Sequence, residues 1–260
     1  MRARLLGIVL LLILPACHVA PPEVLLPEVP AGPLLETIAE RRASFIGMKA
    51  LARVTIERRG RTRVYESVAV LQQGFRKLKV EAYGPLGEPL VALLWDGTVV
   101  LLRKPGETEP VSVGQFGLEQ VLGISIRPAD LCALLTGNAP ELPEGGRVRA
   151  GCGAEGFCDL DLRFEDSVWR VPVRPSGFDD GAVLVVAGAD LYRKSRLALR
   201  STFEPQGWSP ASGVPKRVIV DDPERKVHIV VEYVEAEAGI PVEDGVFTLS
   251  AEEDKGTWTH

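Results

Sequence analysis

Few side chains in this chain of 260 residues can do covalent or metal chemistry, since it has only four cysteines and three histidines. Cys152 and Cys158 bracket a short glycine-bearing segment, a spacing that favours a disulfide across a turn. The alternative is that the two cysteines bind a metal ion. No histidine or further cysteine lies near them in the sequence to complete a metal site. Cys132 lies in an apolar stretch and is expected to be a small buried side chain.

Catalytic motifs are missing from the sequence. It contains no Gly-x-Ser-x-Gly, His-Glu-x-x-His or phosphate-binding glycine loop. His228 falls in a strand-like stretch, where a structural role is favoured over that of a general base. The formal charge of -5 argues against nucleic acid as the main partner, because phosphate binding needs clustered basic residues in excess. We therefore expect no enzyme activity, no catalytic residue, no metal site and no cofactor.

The most specific motif lies at the N-terminus. Two arginines precede an apolar run over residues 5–14, which is too short for a membrane-spanning helix of about 20 residues and is typical of a secretion signal. The run ends in Leu14-Pro15-Ala16-Cys17, which resembles a bacterial lipobox, where a diacylglycerol joins the cysteine thiol and the peptide is cut before it. Cys17 is the predicted lipid-attachment residue, and an ordinary signal peptide with an incidental cysteine is the alternative. Acyl chains such as palmitate add about 0.8 kcal/mol per buried CH2 to membrane binding.

Composition divides the chain into four parts. Residues 1–16 form the signal peptide, and residues 17–33 form a proline-rich tether that extends by about 3.1 Å per residue. Residues 34–250 are predicted to form one folded domain. Residues 251–260 form an acidic tail.

Alternation of apolar and polar residues predicts an antiparallel meander, with Asp96-Gly97 as its strongest hairpin signal. Strands are expected near 50–57, 64–71, 76–82, 90–95, 98–102, 157–164, 168–171, 183–186, 196–203, 216–220, 227–234 and 247–249. Helices are expected over 34–46, 116–122 and 129–135. The predicted class is mainly β with short helices, with eleven or twelve strands.

The order of these features is similar to that of the LolB family, outer-membrane lipoproteins that accept other lipoproteins from a soluble carrier and insert them into the membrane. The resemblance rests on the lipobox, the following helix, the strand end Gln72-Gln73, the loop Gly84-Pro85-Leu86-Gly87, the Asp96-Gly97 hairpin and the helix closing on Gly137. It covers residues 34–137 well, and only strand content supports it beyond them. It implies a LolA/LolB-like fold, an unclosed antiparallel half-barrel of about eleven strands with a helical lid over an apolar cavity that binds acyl chains.

The walls of such a cavity would be aliphatic, since aromatic residues make up only 6% of the chain. The predicted cavity lining is Ala52, Val54, Ile56, Val68, Val70, Leu78, Val80, Leu94 and Leu101. Alternatively, the helices fill the concave side completely, because periodicity does not distinguish a lined cavity from a packed core.

The loop after the third predicted strand carries a sharper hypothesis. Glycine and proline on both sides of Leu86 predict a turn that projects this side chain, and a leucine tucked against a neighbouring strand is the alternative. In the LolB family an exposed leucine on the corresponding loop helps deliver the lipid of the cargo into the bilayer. The resemblance therefore implies a membrane-insertion loop at Pro85, Leu86 and Gly87.

Basic residues cluster at Arg41-Arg42 and at Arg58-Arg59-Gly60-Arg61. Such runs usually form a solvated face, and contact with anionic head groups or an acidic carrier is the alternative. His18 follows Cys17 where an inner-membrane retention signal commonly places Asp, which indicates the outer membrane.

Together these features predict a lipid-anchored protein of the cell outer membrane that faces the periplasm. It would bind acyl chains of lipoproteins or lipids and take part in lipoprotein or lipid transfer, with a periplasmic carrier protein as a candidate partner. The alternative is an envelope scaffold or sensor lipoprotein that uses the same fold, with a filled interior, to bind proteins. The internal cysteines and the acidic tail depart from the LolB pattern and predict a divergent member.

Overall fold

The computed structural model describes residues 26–104, 107, 111–112, 117–153, 156–175, 184–204 and 213–249. Within these residues the helices are α1 (Gly32–Ser44), α2 (Gly117–Leu122) and α3 (Pro128–Leu135), with a 3-10 turn at Asp244–Val246. The strands are β1 (Glu28–Val29), β2 (Gly47–Arg58), β3 (Arg61–Gln73), β4 (Lys77–Tyr83), β5 (Pro89–Trp95), β6 (Val100–Arg103), β7 (Val111–Ser112), β8 (Arg147–Cys152), β9 (Cys158–Phe164), β10 (Ser167–Pro175), β11 (Leu184–Val186), β12 (Gly188–Arg193), β13 (Arg196–Glu204), β14 (Arg217–Asp222) and β15 (Val227–Ala238).

All the described strands belong to one antiparallel sheet. Its order is β1-β8-β9-β10-β12-β13-β14-β15-β2-β3-β4-β5-β6-β7, and β11 pairs with β10 beside this path. The pairing of β15 with β2 joins the two halves of the chain at the middle of the sheet. The strands β1 and β7 lie at the two ends of the order and do not pair with each other, so the half-barrel is unclosed. The predicted mainly β, antiparallel and unclosed fold is confirmed.

Several predicted boundaries are wrong. Glu28–Val29 form β1 and pair with β8. The last part of the predicted tether, residues 17–33, therefore belongs to the sheet. The strands β8 and β12 were not expected, and they raise the count above eleven. Phe247–Leu249 was expected to be a strand, but it follows the 3-10 turn and packs on the sheet instead of pairing with it.

One face of the sheet, here called the inner face, carries a continuous apolar cluster that runs from Ala150 in β8 to Val100 in β6. The helices α1, α2 and α3 add Leu34, Leu118 and Leu131 to the same cluster. The outer face has a smaller apolar cluster, in which Val242, Phe247 and Leu249 of the C-terminal segment cover part of β3, β5 and β6. The inner face is thus the main core, and the C-terminal segment covers the back of the sheet.

A row of charged side chains crosses the outer face from β8 to β2. Its members are paired directly in register from each strand to the next, in the order Arg149, Asp161, Arg170, Asp190, Arg200, Asp221, His228 and Glu57. Basic and acidic residue types alternate along this charge row. Short contacts join its members: Asp161 to Arg170 at 3.0 Å, Asp190 to Arg200 at 3.1 Å and Asp221 to His228 at 2.7 Å.

Candidate functional site

A helical lid, here residues 117–138, covers the inner face. Its helix α3 is buried along nearly its whole length, with Leu131, Cys132, Leu134 and Leu135 each at most 7% exposed. Pro128 occupies the first turn of α3, where its missing N–H costs nothing. Glycines with positive φ follow both lid helices, Gly123 at 79° and Gly137 at 64°. The sequence therefore ends each lid helix sharply and leaves α3 as a short apolar plug.

Two side chains of the sheet bind the backbone of the lid. The Gln72 amide in β3 donates to the carbonyl of Cys132 at 3.2 Å, and the Tyr233 hydroxyl in β15 donates to the carbonyl of Leu135 at 2.8 Å. Burial raises the pKa of the Tyr233 hydroxyl, which stays a proton donor. These bonds hold α3 across the middle of the sheet, where β15, β2 and β3 are neighbours.

Charged contacts hold the other end of the lid. The Arg193 guanidinium donates to the carbonyl of Ser125 at 3.0 Å, and the Arg225 guanidinium lies 3.2 Å from the Glu119 carboxylate. Both arginines are partly exposed, and such pairs contribute little to stability. The lid is therefore held mainly by apolar packing and by the bonds to α3.

Asp130 is the buried carboxylate of the lid. Its side chain is 4% exposed and accepts bonds of 2.7 and 2.8 Å from the Arg127 guanidinium. Burial raises the pKa of Asp130, and the nearby Arg127 only partly opposes this effect. The pair stays within one turn of helix, which makes it a structural contact of the lid.

The structure places most of the predicted cavity lining under the lid. Ala52, Val68, Val70 and Leu78 belong to the buried inner cluster, and Val54, Ile56 and Val80 pack against it. Their side chains and those of the lid form one packed cluster.

Leu94 and Leu101 were wrongly predicted to line the cavity. They lie on the outer face, where Leu94 is in register with Lys79 and with Leu101, and the C-terminal segment covers them. The physical reason is that β5 is apolar on both faces, so its pattern does not tell the inner face from the outer one.

A groove of about 450 Å³ lies on the outer side of the sheet near the charge row. Its lining includes Glu57, Arg200, Asp221, Lys226 and His228. A charged lining of this kind does not suit an acyl chain.

The loop between β4 and β5 presents Leu86 to solvent with 95% of its surface exposed, as the projecting-turn interpretation expects. The Gly84 N–H donates to the Glu88 carbonyl at 2.8 Å, and the Leu86 N–H donates to the Glu88 carboxylate at 3.0 Å. Gly87 has a φ of 81°, a conformation that favours glycine. The loop is thus an ordered turn whose apolar tip touches nothing that would bury it.

The structure also tests the predicted disulfide and the expected burial of Cys132. The Cys152–Cys158 disulfide is formed, with 4.1 Å between the Cα atoms, and closes the β8–β9 hairpin. Cys132 is a buried free thiol, and Cys17 lies outside the described residues. No group of three metal-ligating side chains occurs in the described ranges, and no described helix is long and apolar enough to cross a membrane.

Sequence reasoning missed the residues that hold the site in place. Glu88 looked like one more surface carboxylate, yet it organises the Leu86 loop. Gln72 was noted only as the end of a strand, yet its side chain is fully buried and binds the backbone of the lid. A glutamine and a tyrosine at core-facing strand positions were the available signal, because buried polar groups need partners.

Comparisons with known proteins agree on the fold. No protein-family model and no curated protein matches the sequence. A LolA superfamily protein from Nitrosomonas europaea is similar, with a TM-score of 0.57 and 17% identity over 85% of this chain and 98% of that one.

Two further solved structures are also similar. A putative outer membrane lipoprotein-sorting protein domain from Vibrio parahaemolyticus has a TM-score of 0.59 and 12% identity over 82% of this chain and 95% of that one. A DUF1329 family protein from Desulfovibrio piger has a TM-score of 0.54 and 14% identity over 84% and 97%. The chain therefore has a LolA-like fold.

Proposed function

We propose that this protein is a divergent LolA/LolB-like lipoprotein that binds acyl chains beneath its lid and takes part in lipoprotein or lipid transfer to the outer membrane. The observation that carries the proposal is Leu86, a large apolar side chain held at 95% exposure by an ordered turn. Burying such a side chain in a bilayer would contribute about 1.5 to 3 kcal/mol. The similar solved structures, two of which are described as LolA superfamily and lipoprotein-sorting proteins, support the same function.

The lid supplies the route for the acyl chain. Leu131, Leu134 and Leu135 of α3 pack against aliphatic strand residues, and an acyl chain offers the same kind of surface. When α3 moves off the sheet, an acyl chain can take its place with little loss of buried apolar area. The carbonyl bonds from Gln72 and Tyr233 are the polar contacts that such a movement would break.

Cys132 provides a test of this movement. It lies in the lid helix α3 and is fully buried, and burial raises the pKa of its thiol, so labelling requires that α3 leave the sheet. In the purified chain, Cys152 and Cys158 are joined, and Cys17 is either lipidated or replaced by alanine. An acylated peptide should raise the rate of Cys132 labelling by a maleimide several-fold, and the same peptide without its acyl chain should not.

The contrary result would favour the scaffold or sensor alternative. The near-complete burial of α3 supports this alternative, because it means that the helix fills the interior. If Cys132 is labelled only as fast as the whole chain unfolds, with or without acylated peptide, the lid does not open for acyl chains. Unfolding rates measured by circular dichroism in denaturant and extrapolated to the labelling conditions give the rate for this comparison.

The anchor is a separate part of the proposal. The lipobox at Leu14-Pro15-Ala16-Cys17 supports attachment of acyl chains at Cys17 and a place on the periplasmic side of the outer membrane. Replacing Cys17 with alanine should remove the mass of the lipid and release the protein from the membrane fraction. Unchanged mass and unchanged membrane association would contradict lipidation.

A further inference from the structure

Exposed basic side chains gather at the end of the half-barrel where β2 turns into β3. They come from three turns and comprise Arg58, Arg59, Arg61 and Arg63 of β2–β3, Lys194 and Arg196 of β12–β13, and Lys226 of β14–β15. We call these seven residues the basic rim. The first and last of the three turns touch, since the Arg59 N–H donates to the carbonyl of Lys226 at 3.2 Å.

The basic rim differs from the charge row in its pairing. Cations of the charge row, such as Arg170 and Arg200, have carboxylate partners within 3.1 Å. None of the seven rim cations forms an ion pair with any residue in the described part of the chain, although Glu57 and Glu224 lie in or beside the same turns and Glu165 and Asp166 lie in the adjacent β9–β10 turn. Their charge is therefore available to a ligand outside the chain.

The three turns also hold cations in an unusual backbone conformation. Arg59, Lys194 and Lys226 have φ values of 52°, 48° and 55°, in the left-handed region. Such turn positions favour glycine or asparagine, because a side chain there is sterically disfavoured. The sequence thus places a long, exposed cation at the tip of each of the three turns, whereas the adjacent β9–β10 turn has Glu165 in the same conformation, with a φ of 50°.

Apolar side chains are exposed at the same end of the sheet. Val64, next to Arg63, is 43% exposed. β4 runs antiparallel to β3 towards the rim and ends at Tyr83 opposite Ser67, six residues along β3 from Arg61, so the Leu86 loop follows on the rim side. A bilayer interface accepts both cations and apolar side chains, whereas an acidic protein surface would match only the cations. We propose that the basic rim binds the anionic head groups of a lipid bilayer and turns the Leu86 loop towards it. This surface goes beyond acyl-chain binding and depends on the proposed function only for the role of Leu86.

The position of the N-terminal segment allows this orientation. Pro27 accepts a bond from the Cys152 N–H at the end of β8 that points away from the basic rim. From Cys158, opposite Cys152, to Asp166, whose carbonyl accepts the Lys194 N–H, the chain runs eight residues, or about 26 Å at about 3.3 Å each. An extended chain over residues 17–25 reaches about 28 Å. A lipid on Cys17 and the basic rim can therefore meet the same bilayer.

Vesicle sedimentation tests the proposal in the chain of residues 17–260 carrying Cys17→Ala, so that neither the signal peptide nor an acyl anchor contributes. The vesicles are phosphatidylcholine with or without phosphatidylglycerol, and no cargo is present. The double variant Arg59→Gln/Arg61→Gln should bind the anionic vesicles about thirty-fold more weakly than its parent, since each basic residue contributes about 1 kcal/mol. The matched control Lys49→Gln/Arg76→Gln removes two exposed cations from the opposite end of the sheet, one in β2 and one in the turn after β3, and should bind like the parent.

Binding of the parent should also fall as salt is added and should be weak on vesicles without phosphatidylglycerol. Equal losses in the rim variant and the control, or equal binding to the two kinds of vesicle, would overturn the proposal. If the rim variant loses binding to poly-glutamate but keeps its binding to vesicles, the rim serves an acidic protein and the proposal is wrong. Because no acylated cargo is used, these outcomes are independent of the Cys132 labelling experiment.

Discussion

The Glu88 carboxylate accepts a hydrogen bond of 3.0 Å from the backbone N–H of Leu86, and this bond ties the base of the β4–β5 loop to its tip. Gly84 makes the arrangement possible, because a Cβ atom at position 84 would overlap the same carboxylate. The contacts that order the loop therefore lie beneath Leu86 and leave its side chain free.

Removing this carboxylate should loosen the loop without unfolding the protein. Glu88→Ala loses one exposed hydrogen bond, so the free energy of unfolding should fall by about 1 kcal/mol or less. The rate at which acylated cargo passes to liposomes should fall several-fold, because Leu86 no longer has a fixed position. Glu88→Gln keeps an acceptor oxygen and should retain most of the transfer rate. Equal rates in the two variants would mean that the loop does not need this bond.

Leu86→Glu separates transfer from binding. The side chain is exposed, so the free energy of unfolding should change by only a few tenths of a kcal/mol. The variant should accept acylated cargo but fail to pass it to liposomes, because a carboxylate opposes insertion into the bilayer. Val234→Glu is the control, since Val234 is another exposed apolar residue, at 64%. A melting temperature lowered by many degrees would show that Leu86 is a core residue, and intact transfer would show that it does not insert.

Tyr233→Phe tests the attachment of the lid. The change leaves the buried carbonyl of Leu135 without its donor, which should lower the free energy of unfolding by about 1 to 2 kcal/mol. Because that bond holds α3 on the sheet, the labelling rate of Cys132 should rise by about five-fold or more. Tyr65→Phe makes the same chemical change without removing that donor, and it should leave labelling near the parent rate. Labelling that rises only in step with global unfolding would contradict a lid that moves alone.

Asp161 should contribute to stability at neutral pH and lose its contribution in acid. Burial acts to raise its pKa, but hydrogen bonds from Arg170 and Arg163 outweigh this effect and hold the pKa below its ordinary value. The native state therefore binds this proton more weakly than the unfolded chain does. The contribution is fully present above the unfolded pKa of about 3.9 and is lost as the pH falls through the folded pKa.

Urea unfolding of Asp161→Asn at several pH values measures this contribution. At pH 7 the variant should be less stable than its parent by about 1 to 2 kcal/mol, and the difference should shrink below about pH 4. A difference that stays constant from pH 7 to pH 3 would assign the effect to packing of the amide.

Strands with strict alternation were predictable from the sequence, and those with small or charged residues were not. β2 and β9 alternate apolar and polar residues over most of their length and were predicted close to their observed bounds. β12 begins with Gly188, whose lack of a side chain lets the Ser201 carbonyl approach, and glycine weakens a strand signal. β1 contains only two residues between prolines, a pattern that predicts extended chain without pairing.

The candidate site was predictable only where local chemistry decided it. Leu86 and the Cys152–Cys158 pair follow from short segments, because turn residues and close cysteine spacing act locally. The outer position of Leu94 depends on Phe247 and Leu249, which lie about 150 residues further along the chain. Contacts of such sequence separation leave no mark in a local pattern. The same reason hides the bond from Tyr233 to the lid.

The charge row has a consequence for how the chain finds its register while it folds. A slip of two residues between neighbouring strands keeps apolar side chains on the inner face, so the core alone hardly penalises it. In the row, however, Arg170 stands opposite Asp190, whereas a two-residue slip between β10 and β12 would set it against Gly188 or Tyr192.

The same holds for Arg200, which would lose Asp190 and Asp221. Between these strands, a two-residue slip would leave the charged side chains opposite uncharged residues. The charge row therefore favours the native register from β10 to β14 over slipped registers that bury the same leucines and valines.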